Sequence, residues 1–100
     1  MNTIVILGSG ISGLGSALLA KRNNYNVFVS DAGNISDSTK DILIKSSILF
    51  EEYSHEKAKT LDPDLVIVSP GISPLSDIIT FFMAKSIKMI SEIEFASIHC

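Results

Sequence analysis

The sequence predicts an α/β fold: a Rossmann-like parallel five-stranded sheet in the order 3-2-1-4-5, with helices on both faces. Three observations predict it. Short apolar runs rich in β-branched residues alternate with segments of helical period, the pattern of a parallel sheet covered by helices. The first run leads directly into a glycine-rich turn, Gly8-Ser9-Gly10-Ile11-Ser12-Gly13. An acid, Asp31, closes the second run. Right-handed crossovers then restrict the strand order.

The elements follow in turn. Ile4-Val5-Ile6-Leu7 is a continuous apolar run, suited to a strand buried on both faces. Ile11, Leu14, Leu18 and Leu19 recur at helical spacing and predict a helix over 11–21, which Asn23-Asn24 ends. Val27-Phe28-Val29 is the second strand. A second helix is expected over 36–45 with Ile42 facing inward, and Ile48-Leu49-Phe50 is a short third strand. Residues 54–61 are polar and irregular, with room for one helical turn. Leu65-Val66-Ile67-Val68 is the fourth strand. Ser73 is placed to cap the next helix and Pro74 to occupy its first turn. Leu75, Ile78, Ile79, Phe82 and Met83 would form its buried face. Lys88-Met89-Ile90 is a short fifth strand. Ser91-Glu92-Ile93-Glu94 has the form of a capping box, which assigns Glu92 and Glu94 to the start of a last helix. That helix meets no glycine or proline terminator, so the chain is expected to be the amino-terminal piece of something longer.

Composition narrows the function. The 100 residues allow one domain, and 46% apolar with 19% charged residues is ordinary globular usage. Eight basic against 11 acidic residues give a net charge of -3, which argues against non-specific nucleic-acid binding. The single cysteine, Cys100, can form neither an internal disulfide nor a cysteine-based zinc site. No window approaches the roughly 18 apolar residues of a membrane helix. The apolar run at the amino terminus is too short for a signal-peptide core. A cytoplasmic, soluble protein with no nucleic-acid or membrane partner is expected. His55 and His99 stand apart from any cluster with metal-ligand spacing and read as surface residues.

The glycine loop carries the functional signal. After a strand and before a helix, Gly8 would permit the tight turn and Gly10 would let a phosphate approach the backbone. Gly13 would let helix pack on strand, and Gly15 also asks for a packing reason. The helix N-terminus offers free N–H groups and the positive end of a dipole to a pyrophosphate. Asp31 stands where a ribose-binding acid is expected. A second loop, Ser69-Pro70-Gly71-Ile72, follows the fourth strand. In the predicted order it faces the glycine loop where the winding reverses, and Gly71 can offer its N–H to an anion and tolerate positive φ. On these residues alone a dinucleotide such as NAD, in a dehydrogenase or a regulatory module, would be served equally well. A plain turn beside a ligand-free scaffold also stays open.

In combination, Gly8-x-Gly10-x-Ser12-Gly13, Asp31, Ser69-Pro70-Gly71-Ile72 and Ser91-Glu92-Ile93-Glu94 make the chain resemble the amino-terminal domain of the Mur ligases of peptidoglycan synthesis. The likeness runs over essentially the whole chain and is greatest to the D-glutamate-adding members. It implies binding of UDP-N-acetylmuramoyl-L-alanine. Ser9, Gly10, Ile11, Ser12 and Gly13 would line the uridine and diphosphate site, Asp31 the uracil or ribose end, and Ser69 and Gly71 the diphosphate. Ala32-Gly33 stand where such ligases often carry a hydroxyl or basic residue, leaving only backbone for those contacts. The family activates a carboxylate with ATP and magnesium before amide formation. This chain has no Gly-Lys pair and so no ATP-cradling G-x-x-x-x-G-K-[ST] loop. The resemblance therefore implies no catalytic residue and no cofactor here, with ATP and magnesium held by central and carboxyl-terminal domains that are missing.

Overall fold

The computed structural model describes residues 2–99. In chain order the elements are β1 (Thr3–Leu7), α1 (Ile11–Arg22), β2 (Asn26–Ser30), α2 (Asp37–Lys45) and β3 (Leu49–Glu51). Then come α3 (Glu56–Lys59), β4 (Leu65–Val68), α4 (Asp77–Ala84), β5 (Met89–Ser91) and α5 (Glu92–His99). The strands form one parallel sheet in the order β3-β2-β1-β4-β5, as expected.

Alternation along the strands divides the core in two, because successive side chains leave opposite faces of a sheet. Ile4, Ile6, Val27, Val29, Ile67 and Ile90 pack beneath Ala17 and Ala20 of α1, Leu43 of α2 and Phe95 of α5. Val5, Leu7, Phe28 and Val66 face Ala58 of α3 and Ile78, Ile79 and Phe82 of α4. Leu7, at the end of β1, pairs with both Ser30 of β2 and Val68 of β4. The loops that follow these strands therefore leave the sheet at one level.

Helix α1 is as expected, and α2 and α4 depart from the expectation. α1 buries Gly13, Ser16, Ala17 and Ala20, whereas Leu14, Leu18 and Leu19 only flank the core and Ile11 is 95% exposed. Small residues let the helix axis lie close to the sheet, and the leucines wedge along its sides. α2 turns Leu43 rather than Ile42 inward, after Ser36 Oγ accepts the Thr39 N–H at 3.2 Å and so fixes where the helix starts. α4 starts at Asp77, later than the cap at Ser73 implied. Ser73 instead holds a turn, its Oγ accepting the Leu75 N–H at 3.1 Å, so Pro74 lies outside the helix. Ile78, Ile79 and Phe82 are buried as expected, but Leu75 and Met83 face solvent. Gly15 has open space around its Cα, so no close approach accounts for it. The expected turn of helix within 54–61 is α3, capped by a side chain from β3: Glu51 accepts the N–H groups of Lys57 at 3.0 Å and Ala58 at 2.8 Å. α5 is described to His99, and Cys100 lies outside the described residues.

Candidate functional site

Gly8 and Gly13 of the first loop do what their spacing suggests. Gly8 has φ of +106°, and its N–H donates to the Ser30 carbonyl of β2 at 2.9 Å. Only glycine adopts that conformation without strain. A Cβ on Gly13 would lie 2.3 Å from the Gly8 carbonyl oxygen, so helix and turn pack with no room between them. Gly10, by contrast, has nothing within 4 Å of a Cβ position. α1 has no side-chain cap, which leaves the N–H groups of its first turn free for an anion.

Asp31 ties this loop to the end of β2. Its Oδ2 accepts the Ser9 N–H at 2.9 Å and the Ser9 hydroxyl at 2.6 Å, and its Oδ1 accepts the Gly33 N–H at 2.8 Å. A carboxylate has about four acceptor sites. Most of Asp31 is thus engaged in shaping the loops, and little is left for a ribose.

The second loop lies against the first. The Ser69 N–H donates to the Leu7 carbonyl at 3.1 Å, and a Cβ on Gly8 would fall 2.6 Å from Ser69 Cβ. The two rims touch where the winding reverses, rather than facing each other over a gap. Gly71 has open space around it, and its φ is not positive, so the left-handed freedom expected of it is unused. The open space lies on the other side of the glycine loop. There Ser9, Gly10, Ile11 and Asp31 line a groove of about 380 Å³ with Asn34, Ser36 and Thr39 of the loop and helix after β2. Ser12, Gly13, Ser69 and Gly71 border the loop without lining this groove.

Two further groups support the loop from below. Glu92 is only 6% exposed, and its Oε1 accepts the Ser12 hydroxyl at 2.8 Å while Oε2 has no partner among the described residues. Glu92 therefore does not cap the helix: Ser91 Oγ accepts the Glu94 N–H at 3.0 Å, while the Glu92 side chain turns toward α1. His55, expected at the surface, is half-buried. Its Nδ1 lies 2.6 Å from the buried Ser30 hydroxyl, which also donates to Glu51 at 2.9 Å. Burial holds the His55 pKa below its usual value, against opposing pulls from Glu51 and Asp31. His99 packs on Phe95, with ring centroids 4.6 Å apart.

Sequence reasoning placed Glu92 at the start of the last helix but missed its bond to Ser12, and missed the groove wall of Asn34, Ser36 and Thr39. For Ser36 a signal existed, since a serine before a helix caps it. The Ser12–Glu92 bond had no local signal, because the partners are 80 positions apart.

Residues 3–78 match the family model of the MurD N-terminal domain. The chain belongs to that family. It is 48% identical over 94 residues to the UDP-N-acetylmuramoylalanine--D-glutamate ligase of Christiangramia forsetii, covering 94% of this chain and 21% of the relative. It is 45% identical over 96 residues to the ligase of the same description from Cytophaga hutchinsonii, covering 96% and 21%. Among solved structures, a murein peptide ligase from Psychrobacter arcticus superposes with a TM-score of 0.86 at 29% identity, over 97% of this chain and 20% of that one. The chain thus spans about a fifth of the length of the curated relatives it matches. Among the described residues, no helix is long and apolar enough to cross a membrane.

Proposed function

We propose that this MurD-type domain holds the uridine diphosphate end of UDP-N-acetylmuramoyl-L-alanine for a cytoplasmic, D-glutamate-adding ligase. The observation that carries this reading is a contrast among glycines. Gly8 and Gly13 have no room for a side chain, whereas Gly10 and Gly71 are open. The packed pair fixes the loops. The open pair leaves main chain that a diphosphate can approach, beside the free N–H groups of α1. The groove at Asn34, Ser36 and Thr39 is the place for the nucleoside. Chemistry is left to further domains of the parent protein: the chain has no Gly-Lys pair for an ATP loop, so ATP and magnesium would bind there.

An amide-shift titration with UDP, UDP-N-acetylmuramoyl-L-alanine and NAD tests the reading. Shifts at residues 8–13 and 69–72 with the uridine compounds but not with NAD support it; the opposite pattern would establish the NAD alternative. Gly10→Val should leave the spectrum dispersed, because φ of -65° and ψ of -174° suit any L-residue and nothing crowds the new side chain. It should abolish the uridine diphosphate shifts, and a variant that binds normally would remove the loop from the site.

A further inference from the structure

Beneath the candidate site several polar groups meet at one buried hydroxyl. Ser30, the last residue of β2, has no exposed surface. Its Oγ lies 2.6 Å from His55 Nδ1, 2.9 Å from Glu51 Oε2 and 3.2 Å from the Ser54 carbonyl oxygen. A hydroxyl has one hydrogen to give, and an ionised carboxylate and a carbonyl can only accept. The Glu51 carboxylate also takes the N–H groups of Lys57 at 3.0 Å and Ala58 at 2.8 Å. The Ser30 hydrogen therefore belongs on the Glu51 side, since two oxygens that close with no hydrogen between them would leave a buried acceptor unsatisfied. His55 Nδ1 is then the donor in the 2.6 Å contact. The neutral ring carries its hydrogen on Nδ1, and its Nε2 is bare.

The segment that these bonds fasten has few other anchors. α3 has four residues, too few for a helix that stands alone, and it buries only Ala58. His55 occupies its N-cap position without a side-chain bond to the helix. The fastening comes instead from β2 and β3, through His55 to Ser30 and through Lys57 and Ala58 to Glu51. A short segment with little buried surface belongs to the parts of a fold that open first. A second proton makes the half-buried ring a cation. Loss of water disfavours that charge and Lys59 of α3 repels it, while Glu51 at the end of β3 and Asp31 after β2 attract it. Burial is the largest of these effects and holds the pKa below its ordinary value. The protonated ring is thus better off in water, and reaching water means leaving Ser30.

We propose that His55 is a proton-operated latch on residues 54–59: neutral, its Nδ1–H closes the segment onto Ser30; protonated, it swings to solvent and the segment opens while the sheet stays formed. Ser30 keeps its bond to Glu51 in both states, and its carbonyl keeps the Gly8 N–H. The closed segment touches the candidate site through the Ser54 N–H, which donates to the Asp31 carbonyl at 3.3 Å. The latch does not depend on what the groove binds.

Two NMR measurements on the ligand-free chain test it. Imidazole nitrogen shifts at mildly alkaline pH should place the His55 hydrogen on Nδ1; a hydrogen on Nε2 overturns the proposal. Amide exchange should show residues 54–59 opening by themselves, with lower protection than β1 and little response to urea, while β1 responds steeply. Below pH 6.5, where the released ring ionises, that protection should fall by about tenfold per pH unit until the closed ring ionises as well. His55→Asn keeps an N–H donor near the Nδ1 position but cannot ionise, so protection of the segment should stay constant over the same range. Ser30→Ala removes the catch and should leave the segment weakly protected at every pH. Both variants are read with the amide spectrum still dispersed. Exchange of residues 54–59 only together with β1 overturns the proposal, as does a pH dependence that survives His55→Asn.

Discussion

The two rims at the carboxyl edge of the sheet are built in different ways. The first, residues 8–13, is held by contacts from distant parts of the chain: Asp31 on Ser9, Glu92 on Ser12 and the Ser30 carbonyl on Gly8. The second, residues 69–76, is held to the sheet by Ser69, and beyond that its bonds are local: Ile72 N–H to the Ser69 carbonyl, Leu75 N–H to Ser73 Oγ, Ser76 N–H to the Ser73 carbonyl. Its tip is exposed, with Leu75 at 88%. The difference teaches where rigidity comes from. A loop fixed by side chains far along the sequence keeps its form without ligand, whereas a loop with neighbours as partners can adjust when a ligand arrives.

Substitutions should reveal that asymmetry. The largest effect is expected at Gly13→Val, whose Cβ would collide with the Gly8 carbonyl at 2.3 Å. Neither partner can yield without moving helix or turn. A loss of about 3 kcal/mol is expected from the urea midpoint, and a near-neutral result would mean that the first rim is soft. Asp31→Ala comes next. It removes the acceptor for Ser9 and Gly33 and should cost about 2 kcal/mol of stability even without ligand. If it weakened uridine diphosphate binding alone, Asp31 would be a ligand contact rather than a brace.

A smaller effect follows from His55, beneath the first rim. Its folded pKa lies below the ordinary 6.5, so the unfolded chain takes up the proton first. Stability should be constant in this respect above that value and decline as pH falls from it toward the folded pKa. His55→Gln should flatten that part of the pH profile, measured by thermal melts at intervals of pH. The smallest effect belongs to the second rim. Gly71→Ala meets no atom within 4 Å and needs no positive φ, so its stability should change by less than about 0.5 kcal/mol.

How much of this was legible in the sequence depended on the range of the contact. Strand order follows from the alternation of elements, and the steric demands at Gly8 and Gly13 from their spacing, and the structure has both. The helix α1 was legible from its leucines, but not that Ala17 and Ala20 make its buried face with the leucines at the flanks, since close packing decides that. The position of Asp31 was legible, but not that Ser9 and Gly33 occupy it, since loop geometry decides that. Glu92 was read with Glu94 as a capping residue because both open the last helix, and its burial under Ser12 depends on α5 folding back onto α1.

The Ser12–Glu92 bond joins the first turn of α1 to the first residue of α5. The two helices lie in contact, so the seating of α5 bears on where the Ser12 hydroxyl is held. The last helix, 80 positions along the chain, is therefore part of what supports the glycine loop.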